Sequence, residues 1–428
     1  MTSALGISIP DNWRTAPLKM VTSLVDRGQA PDYVDDGPVR AISQAANQTI
    51  GLAWDRTRFH NHQGDLRGLR GCLLPHDILV NSTGTGTLGR VGYFTHGPDS
   101  KTCMADGHVT VIRTLPKELD PRFCYYWLSS RPFQEFIQAA LTVGATNQIE
   151  LNRDKLRDAP VAAPPLDEQR EIANFLDAEM STMTRLATLR KRQIEIIKER
   201  HGATLDLAIE EHSQRFGTLP FRRHVTSVDQ GFSPQCDAVS ADAGEWGVLK
   251  VSCLRPGQFF ADENKRLPTS EVPVIPYEVR KGDLLITRAN TPALVGSTAV
   301  VPEVRAKLLL SDKIFRVRVG GAVDPQYIAA VAAGSHVRAL CKALSNGASQ
   351  SMANIRFEDV KSWPIPRADL SAQSLLVQRL RESRESLLAL DSAIKSQLDT
   401  LAERREALIT AAVTGQFDIP TARRMEAS

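Results

Sequence analysis

The clearest pattern in the chain is a helical spacing of apolar residues that occurs twice. Apolar side chains recur at steps of three and four residues over residues 166–209, and again about 204 residues later. Over roughly six heptads, this spacing predicts a coiled-coil seam rather than the apolar face of a short surface helix. The predicted seam residues are Ile172, Leu176, Met183, Leu186 and Ile197 in the first stretch and Leu376, Leu380, Leu387, Leu390, Ile394, Leu401 and Leu408 in the second.

The register between the two stretches holds without a gap. Gln169 and Arg200 in the first stretch correspond to Gln373 and Arg404 in the second. This correspondence indicates a tandem duplication in which each half of the chain consists of a globular segment followed by a long helix.

Shorter apolar runs predict the strands and helices of the globular segments. In the first segment we expect strands at 77–80, 90–94 and 108–112 and helices at 122–128 and 132–141. In the second we expect strands at 248–251, 283–287, 298–301 and 314–319. The order of the first segment therefore returns in the second, with insertions between the matching elements.

These elements predict an α+β protein: two mixed α/β domains separated by a long antiparallel two-helix coiled coil, in a pseudo-two-fold tandem repeat. The predicted boundaries are 1–160 for the first domain, 161–215 for the central helix, 216–366 for the second domain and 367–428 for the C-terminal helix and tail. A helix of about 45 residues is about 65 Å long. The second helix can pair with the first only by running back along it.

Several residues are placed to begin, end or adjust the long helices. Asp167 and Ser371 are predicted N-caps, and Gly415 is placed to end the second helix. The polar seam positions Arg190 and His201 have two interpretations, since they either set the helix register or face a further protein.

The composition is that of an ordinary globular protein. Of the 428 residues, 42% are hydrophobic and 24% charged, and the net charge is +3. Because this net charge is small, any nucleic-acid binding must come from individually placed side chains. We expect no secretory signal and no membrane span. Six scattered cysteines without a C-x-x-C pair argue against a zinc site and disulfides, so we expect a cytoplasmic protein with reduced thiols.

One glycine-rich stretch has the spacing of a dinucleotide fingerprint. Gly84, Gly86 and Gly89 follow a predicted strand in G-x-G-x-x-G order, and Asp106 lies 20 residues after Gly86. A dinucleotide site needs a helix that starts among the glycines, so that its N-terminus faces the pyrophosphate. Here Val91 belongs to another predicted strand. The glycines are therefore better explained by a turn between two strands.

No other catalytic motif is apparent. The chain lacks G-x-S-x-G, H-E-x-x-H, a P-loop and the adenine-methylating D/N-P-P-F/Y string. His60 and His62 lie two apart, without a third or fourth ligand of suitable spacing. We therefore predict no catalytic residue, no metal site and no cofactor in this chain.

The loops between the paired strands carry side chains suited to DNA. Arg and Asn can each make two hydrogen bonds to a base edge, of guanine and adenine respectively. The candidate DNA contacts are Asn81, Ser82, Thr83, Thr85, Arg90, Asn147 and Gln148 in the first segment and Arg288, Asn290, Thr291, Gln350, Ser351 and Arg356 in the second. Further candidates for phosphate contacts are Arg56, Arg58, Arg67, Arg70, Lys265 and Arg266. Each of these residues taken alone is more typically a solvated surface residue without a ligand. The occurrence of such loops in both copies favours DNA recognition for the loops as a class.

Two globular segments joined by a rod suit a target in two parts. Each segment would recognise a few base pairs, and the rod would fix the gap between them, as dimer geometry fixes half-site spacing in other proteins. Because the segments differ in sequence, we expect two different half-sites.

Several segments together resemble one known family. They are PLDEQREIANFLD at 165–177, ITAAVTGQFD at the end of the second helix, the start IPDNWRTAPL, and the paired elements HDILVNSTGTGTLGRVG and GDLLITRANTPALVG. With the order of domains and helices, these segments resemble the specificity (S) subunit of a type I restriction–modification system over nearly the whole length. The second paired element departs from the pattern, since it has ANTPALVG in place of the glycine loop.

The resemblance implies two target recognition domains in a prokaryotic, cytoplasmic protein that does no catalysis itself. It implies double-stranded DNA as the ligand, and two methyltransferase (modification) subunits and restriction subunits as partners. S-adenosylmethionine, ATP and Mg2+ would be bound by those partners.

Three hypotheses follow. The leading one is a sequence-specific DNA-binding subunit that recognises a bipartite, asymmetric target and directs partner adenine methyltransferase and restriction subunits. The first alternative is a coiled-coil scaffold protein with two protein-binding β modules and no DNA binding, which a steep salt dependence of DNA binding would exclude. The second is a self-contained enzyme with a nucleotide site at residues 84–89.

Overall fold

The protein is described here by a computed structural model that covers residues 2–143, 149–349 and 352–417. The chain divides into two compact units. The first unit comprises Met1–Lys191 with Lys395–Ser428, and the second comprises Arg192–Ile394. Each unit therefore contains one globular part and a portion of both long helices, whereas the predicted boundaries separate the helices from the globular parts.

The described helices include short ones in each globular part and two long ones. They are α1 (Pro121–Ser129), α2 (Arg131–Phe136), α3 (Arg153–Arg157), α4 (Leu166–Phe216), α5 (Pro325–Ala333), α6 (Ser335–Leu344), α7 (Phe357–Val360) and α8 (Leu370–Val413). A π-helical turn, Ile137–Leu141, continues α2. Short 3-10 helices lie at Leu18–Met20, Trp54–Arg56, Leu66–Gly68, Phe221–Arg223, Val251–Cys253 and Ile275–Tyr277. With 51 and 44 residues, α4 and α8 far exceed the usual length of a globular helix.

Both predicted N-caps are wrong by a few residues. Asp167 lies in the first turn of α4, because that helix already begins at Leu166. Ser371 likewise lies inside α8, and Asp369 is the capping residue, whose Oδ1 accepts the backbone N–H of Ala372 at 2.8 Å. An aspartate ahead of the helix satisfies a free N–H group in the usual way of an N-cap.

The predicted end of the second helix is confirmed. Gly415 follows α8 with φ +71°, in the left-handed region that glycine tolerates best. The backbone N–H of Gln416 then donates to the carbonyl of Ala411 at 2.9 Å, a bond typical of a Schellman motif.

The first unit is built on two four-stranded sheets. The strands are β1 (Thr2–Ala4), β2 (Ile7–Ile9), β3 (Arg14–Pro17), β4 (Thr22–Arg27), β5 (Tyr33–Val34), β6 (Val39–Ile42), β7 (Asn47–Gln48), β8 (Gly51–Leu52), β9 (Arg58–His60), β10 (Ile78–Asn81), β11 (Val91–Tyr93), β12 (Thr102–Ala105), β13 (Val109–Thr114), β14 (Thr142–Val143), β15 (Glu150–Leu151) and β16 (Pro160–Ala163). One sheet is antiparallel in the order β11–β10–β13–β4, and the other has the order β12–β6–β9–β5, with β12 parallel to β6.

The second unit repeats the antiparallel sheet, in the order β18–β27–β23–β25. Two three-stranded sheets, β22–β19–β26 and β24–β29–β28, accompany it. The strands are β17 (Thr218–Pro220), β18 (Val225–Gln230), β19 (Gly247–Leu249), β20 (Leu254–Arg255), β21 (Gln258–Phe259), β22 (Asn264–Arg266), β23 (Leu284–Thr287), β24 (Ala289–Asn290), β25 (Thr298–Val300), β26 (Leu308–Leu309), β27 (Ile314–Val319), β28 (Asn346–Ser349), β29 (Met352–Asn354) and β30 (Pro364–Pro366).

The mixed α/β prediction and the tandem duplication are confirmed. Each strand predicted from an apolar run is present, with ends displaced by at most one or two residues. The central strand of each antiparallel sheet is covered on both faces. In β10, Ile78 and Val80 face the helices, while Leu79 faces the second sheet, and Leu285 in β23 occupies the same kind of position. Burial on both faces explains why these strands are continuous apolar runs.

Within the first unit, the start of α4 packs against the end of α8. Ile172, Leu176 and Met183 are buried in the same core as Ile409 and Val413. The two helices therefore run antiparallel there, as the sequence predicts.

The second unit shows the same pairing in its own portions of the helices. Leu376 and Leu380 near the start of α8 share a core with Ala208 near the end of α4. His201 and Ser383 join the two helices through a 3.1 Å hydrogen bond between Nδ1 and Oγ. These helix portions are thus also antiparallel.

The predicted seam holds only in part. Ile394 is buried, whereas Ile197, Leu387, Leu401 and Leu408 are half-buried. Leu186 and Leu390 are 39% and 49% exposed, so the structure places these two outside the packed seam. Ile194, which the spacing does not select, is buried instead. A straight helix drifts by about 20° per heptad from a 3.5-residue repeat, and spacing alone does not account for this rotation.

A buried glutamine joins α4 to the globular part of the first unit. Gln169 is 1% exposed, and its Oε1 accepts the backbone N–H of Asp120 at 2.7 Å. Its Nε2 donates to the carbonyls of Pro164 at 2.8 Å and Glu118 at 3.3 Å. The side chain amide thus satisfies three backbone groups on two separate segments.

Gln373 makes the same set of bonds in the second unit. Its Oε1 accepts the N–H of Asp324 at 2.8 Å, and its Nε2 donates to the carbonyls of Ala368 and Ala322 at 2.8 and 3.1 Å. Gln373 is also 1% exposed. The glutamine retained between the two copies is therefore a structural clamp in each unit.

We predict that Gln169→Leu and Gln373→Leu each lower the free energy of unfolding by about 2–4 kcal/mol, because buried backbone groups lose their partners. Urea unfolding of the full chain measures this change. Gln378→Leu, at an exposed position of α8, is the matched control and should change the free energy by less than about 0.5 kcal/mol. Equal effects at buried and exposed glutamines would contradict the clamp.

Candidate nucleic-acid interface

The first loop, residues 82–90, is a turn between antiparallel strands. It joins β10 to β11, which pair from Ile78 with Tyr93 to Val80 with Val91. The N–H groups of Thr87 and Leu88 both donate to the carbonyl of Gly84, at 3.1 and 3.0 Å. No helix begins among the glycines, and a pyrophosphate site of the dinucleotide type requires one. The prediction of a turn rather than a nucleotide fingerprint is confirmed.

Asn81 and Ser82 lie in the interior and not on the loop surface. Both are fully buried. The Oδ1 of Asn81 accepts from Nδ2 of Asn47 at 2.9 Å, and its Nδ2 donates to the carbonyl of Gln44 at 3.2 Å. The hydroxyl of Ser82 bonds that of Thr110 at 2.5 Å. These polar groups are already satisfied inside the protein, so the structure removes Asn81 and Ser82 from the candidate contacts.

The remaining candidates of the first loop differ in access. Thr85 is exposed, and Thr83 is half-buried, with its hydroxyl 2.9 Å from Nδ1 of His108. Arg90 is half-buried, and its Nη1 donates to the carbonyl of Asn47 at 3.2 Å and to Oε1 of Gln48 at 3.1 Å. Thr85 is therefore the most accessible of the three, while part of the Arg90 guanidinium holds the neighbouring hairpin.

The first loop borders a cleft of about 1400 Å³ within the first unit. Its cationic lining residues are Arg90, Arg131, Lys191 and Arg405, and its acidic ones are Glu135 and Glu406. Arg131 pairs with Glu135 at 2.7 Å. Cations exceed acids along the cleft, and the potential there is suited to an anion.

Tyr125 lines the same cleft beside Arg405. Burial raises the pKa of its phenol, and the adjacent Arg405 guanidinium partly opposes that rise. Tyr125 therefore remains neutral near neutral pH and contributes an aromatic surface to the wall of the cleft.

The second loop, residues 288–297, repeats the hydrogen-bond scheme of the first. The N–H groups of Leu294 and Val295 both donate to the carbonyl of Thr291, at 2.9 and 2.8 Å. The N–H of Gly296 bonds the carbonyl of Thr287 at 2.9 Å, much as Gly89 bonds the carbonyl of Asn81 in the first loop. The loop keeps its shape although two of the three glycines of the first copy are absent.

The side chains of the second loop are more accessible. Thr291 is exposed, and Arg288 is half-buried, with no polar partner for its guanidinium among the residues that the structure describes. Asn290 is only 8% exposed, and its Oδ1 accepts the N–H of Thr291 at 2.8 Å. Arg288 and Thr291 are thus available for contacts, whereas Asn290 shapes the loop.

Arg356 is exposed but already paired. It occupies the N-cap position of α7, and its guanidinium donates to Asp359 at 3.1 and 3.2 Å. The hydrogen bond from Arg356 holds the pKa of the Asp359 carboxyl below its usual value. A DNA phosphate would have to compete with this carboxylate. Four other candidates, Asn147, Gln148, Gln350 and Ser351, lie outside the described residues.

The candidates for phosphate contacts are mostly surface residues. Arg56 and Lys265 are exposed. Arg70 pairs with Asp26 at 3.4 Å, and Arg266 with Asp237 at 2.9 Å. Nothing is described for the side chain of Arg67.

The first unit contains a group of cations stacked on aromatic rings that the sequence does not predict. Arg58 lies 3.9 Å from the ring centroid of Tyr33, and Arg40 and Lys101 lie 4.6 and 4.1 Å from that of Phe59. Cations on aromatic faces suit a nucleic-acid surface. Arg40 and Lys101 are also paired with Asp99 and Asp36, so Arg58 is the member of this group without a carboxylate partner in the described part of the chain. The adjacent Arg58-Phe59 pair is the local signal in the sequence, because Tyr33, Arg40 and Lys101 come from distant parts of the chain.

His60 and His62 pack against each other, and His60 is hydrogen-bonded to the backbone. Their ring centroids are 5.9 Å apart, and Nδ1 of His60 accepts the N–H of Asp32 at 2.9 Å. Over residues 2–143, 149–349 and 352–417, no group of three His, Cys, Asp or Glu side chains is placed to hold a metal.

No helix in the described part of the chain combines the length and apolarity that crossing a membrane requires.

Comparisons with known proteins point to one family. A family model described as "Type I restriction modification DNA specificity domain" matches residues 70–196. The chain is 30% identical over 191 residues to the type I restriction enzyme EcoEI specificity subunit of Escherichia coli, covering 44% of this chain and 32% of that protein. It is 24% identical over 416 residues to the EcoKI specificity subunit of Escherichia coli strain K12, covering 92% of this chain and 86% of that protein.

Two solved structures share the fold. One, described as "Structural basis underlying complex assembly and conformational transition of the type I R-M system", matches with a TM-score of 0.68 at 16% identity, over 96% of this chain and 100% of that chain. The other is the HsdS subunit from Thermoanaerobacter tengcongensis, with a TM-score of 0.52 at 15% identity, over 97% and 100%.

We predict that Gly84→Ala destabilises the first unit more than Gly86→Ala does. Both glycines have positive φ, of +105° and +74°, but an added Cβ at Gly84 would collide with Thr87 and Gln44, whereas that at Gly86 meets open space. We expect a loss of about 1–2 kcal/mol in unfolding free energy for Gly86→Ala and about 2–3 kcal/mol for Gly84→Ala. Denaturant unfolding of the two variants side by side measures the difference, and equal losses would contradict the loop geometry.

Proposed function

We propose that this chain, which belongs to the family of type I restriction–modification specificity subunits, recognises a DNA target in two parts, one with each unit. As a specificity subunit, it serves DNA sequence recognition in a type I system and is not the catalytic subunit. The two-part target and the partners named below are our proposals.

One observation carries the two-part target. The first and second loops have the same backbone hydrogen bonds but present different side chains, chiefly Thr85 in one and Arg288 and Thr291 in the other. The same scaffold with different exposed groups is what two different half-sites require, because base-edge contacts decide sequence preference.

The proposed partners follow from the family. We propose two methyltransferase (modification) subunits and restriction subunits, with S-adenosylmethionine, ATP and Mg2+ bound by those partners, in the cytoplasm of a prokaryote. The specificity subunit would then direct adenine methylation and restriction to the sequence that it binds.

Selection from random double-stranded DNA by the full chain with its modification subunits tests the proposal. We expect a motif split into two defined parts around an undefined spacer, and binding that weakens steeply as salt rises. Binding without salt dependence, or no enrichment of any sequence, would instead favour a coiled-coil scaffold for other proteins. A single continuous motif would overturn the two-part target alone.

We predict that replacing residues 13–155 with the corresponding segment of another specificity subunit changes only one half of the selected motif. The replaced segment contains the first loop and leaves the second unit intact. Sequencing of the selected DNA gives the result. Changes in both halves would contradict separate recognition by the two units.

We predict that Arg288→Ala relaxes the preference at one base pair of the other half-site. Its guanidinium has no polar partner in the described parts of the chain, and an arginine that bonds a guanine edge contributes about 1–3 kcal/mol of discrimination. Arg280→Ala is the control, since Arg280 is exposed and precedes β23, whereas the second loop follows that strand. Competition binding with single-base variants of the selected site measures both, and equal losses for the two would rule out a base contact by Arg288.

A further inference from the structure

Arg338 is a partly buried cation without a counter-charge. It lies on α6, and its Nη2 donates to the carbonyl of Ala293 in the second loop at 2.8 Å. Its Nη1 is buried and has no hydrogen-bond partner, and no ion pair to Arg338 occurs in the described part of the chain. Burial lowers the pKa of the guanidinium, as expected for a charge without compensation. The neighbouring Cys341 thiol is neutral at neutral pH, because burial raises its pKa to about 11.

The first unit has a neutral residue at the equivalent position. Gln134 lies 204 residues before Arg338, and its Nε2 donates to the carbonyl of Gly89 in the first loop at 3.0 Å. The packing beside it confirms the equivalence, since a Cβ at Gly89 would meet Ile137 and a Cβ at Gly296 would meet Cys341. Gln134 donates as well to the carbonyl of Leu128 at 2.7 Å. A glutamine is therefore sufficient to hold such a loop.

Arginines of comparable burial elsewhere usually face a carboxylate. Arg113 bonds Asp77 through two contacts of 2.7 Å, and Arg316 bonds Asp229 at 2.9 Å. The exceptions include Arg384, Arg90 and Arg305, whose guanidinium groups donate to carbonyl or amide oxygens, as Arg384 does to the carbonyl of Gly257 at a hairpin turn. Burying a cation without such compensation disfavours the folded state. The positive charge at Arg338 thus has a cost that holding the loop does not explain.

Arg338 lies beside exposed residues of the second loop, where bound DNA would supply an anion. Ala293, whose carbonyl it binds, is exposed, and Arg288 and Thr291 of the same loop are accessible. A guanidinium presents several N–H groups in a plane, which matches the oxygens of a phosphate. We propose that Arg338 contacts a backbone phosphate of bound DNA beside the second loop, through the Nη2 side of its guanidinium, because Nη1 is enclosed by the protein. The inference rests on the proposed function and adds a contact that only one of the two units makes.

The test compares Arg338→Gln and Arg338→Lys in the full chain with its modification subunits. Binding to a labelled random-sequence duplex is measured over a range of salt concentrations. Loss of one phosphate contact should make the slope of log K against log salt shallower by about 0.9, and weaken binding by about tenfold. Arg338→Lys keeps the charge and should retain the slope. Because Gln134 holds the first loop with a neutral amide, at the carbonyl of Gly89 rather than at a counterpart of Ala293, we expect Arg338→Gln to keep or raise the unfolding temperature.

The outcomes separate this inference from the proposed function. Lys342→Gln removes the same charge from an exposed position on α6 and should leave the slope nearly unchanged. An unchanged slope for Arg338→Gln, or an equal loss for Lys342→Gln, would overturn the phosphate contact. If the unaltered protein itself shows no salt-dependent DNA binding, the proposed function fails first. A lowered unfolding temperature with an unchanged slope would make Arg338 a loop anchor only.

Discussion

A buried glutamine amide fixes each long helix to the globular part that it follows. Gln169 and Gln373 each satisfy one N–H and two carbonyl groups, and the N–H belongs to the aspartate that caps a short helix of the preceding globular part. A single side chain thereby joins the start of a long helix, the connection before it and the start of α1 or α5. The apolar contacts around it give most of the stabilisation, but they are not directional. The amide supplies the direction, because an unpaired buried polar group disfavours any other arrangement.

The backbone conformation of the first and second loops is independent of the side chains that they expose. The first and second loops share their backbone bonds, yet Gly84 in one is replaced by Thr291 in the other as the central acceptor. Loop shape is set by backbone groups and by the strands on either side, and these are common to both copies. The exposed side chains are therefore free to differ, as recognition of two different DNA sequences requires.

Attraction to DNA in this chain depends on individual cations and not on the overall charge. The net charge is only +3, and many cations are paired with a carboxylate, as in Arg113 with Asp77 or Arg266 with Asp237. Paired arginines stabilise the fold and have little attraction left for DNA. Two cations without a carboxylate partner among the described residues, Arg288 and Arg338, lie at the second loop. Arg90 of the first loop also lacks a carboxylate, but its guanidinium is already hydrogen-bonded to Asn47 and Gln48.

The sequence by itself determined the repeat, the central strands, the turn character of the glycine stretch and the two long helices, because each depends on spacing along the chain. Only the tertiary structure decided which polar residues are accessible. Asn81 and Ser82 look like their exposed neighbours in sequence, and it is the distant Asn47 and Thr110 that hold them inside. Leu186 and Leu390 have seam spacing but are exposed. Periodicity is a local property that a sequence states directly, whereas burial and charge compensation depend on residues that only folding brings together.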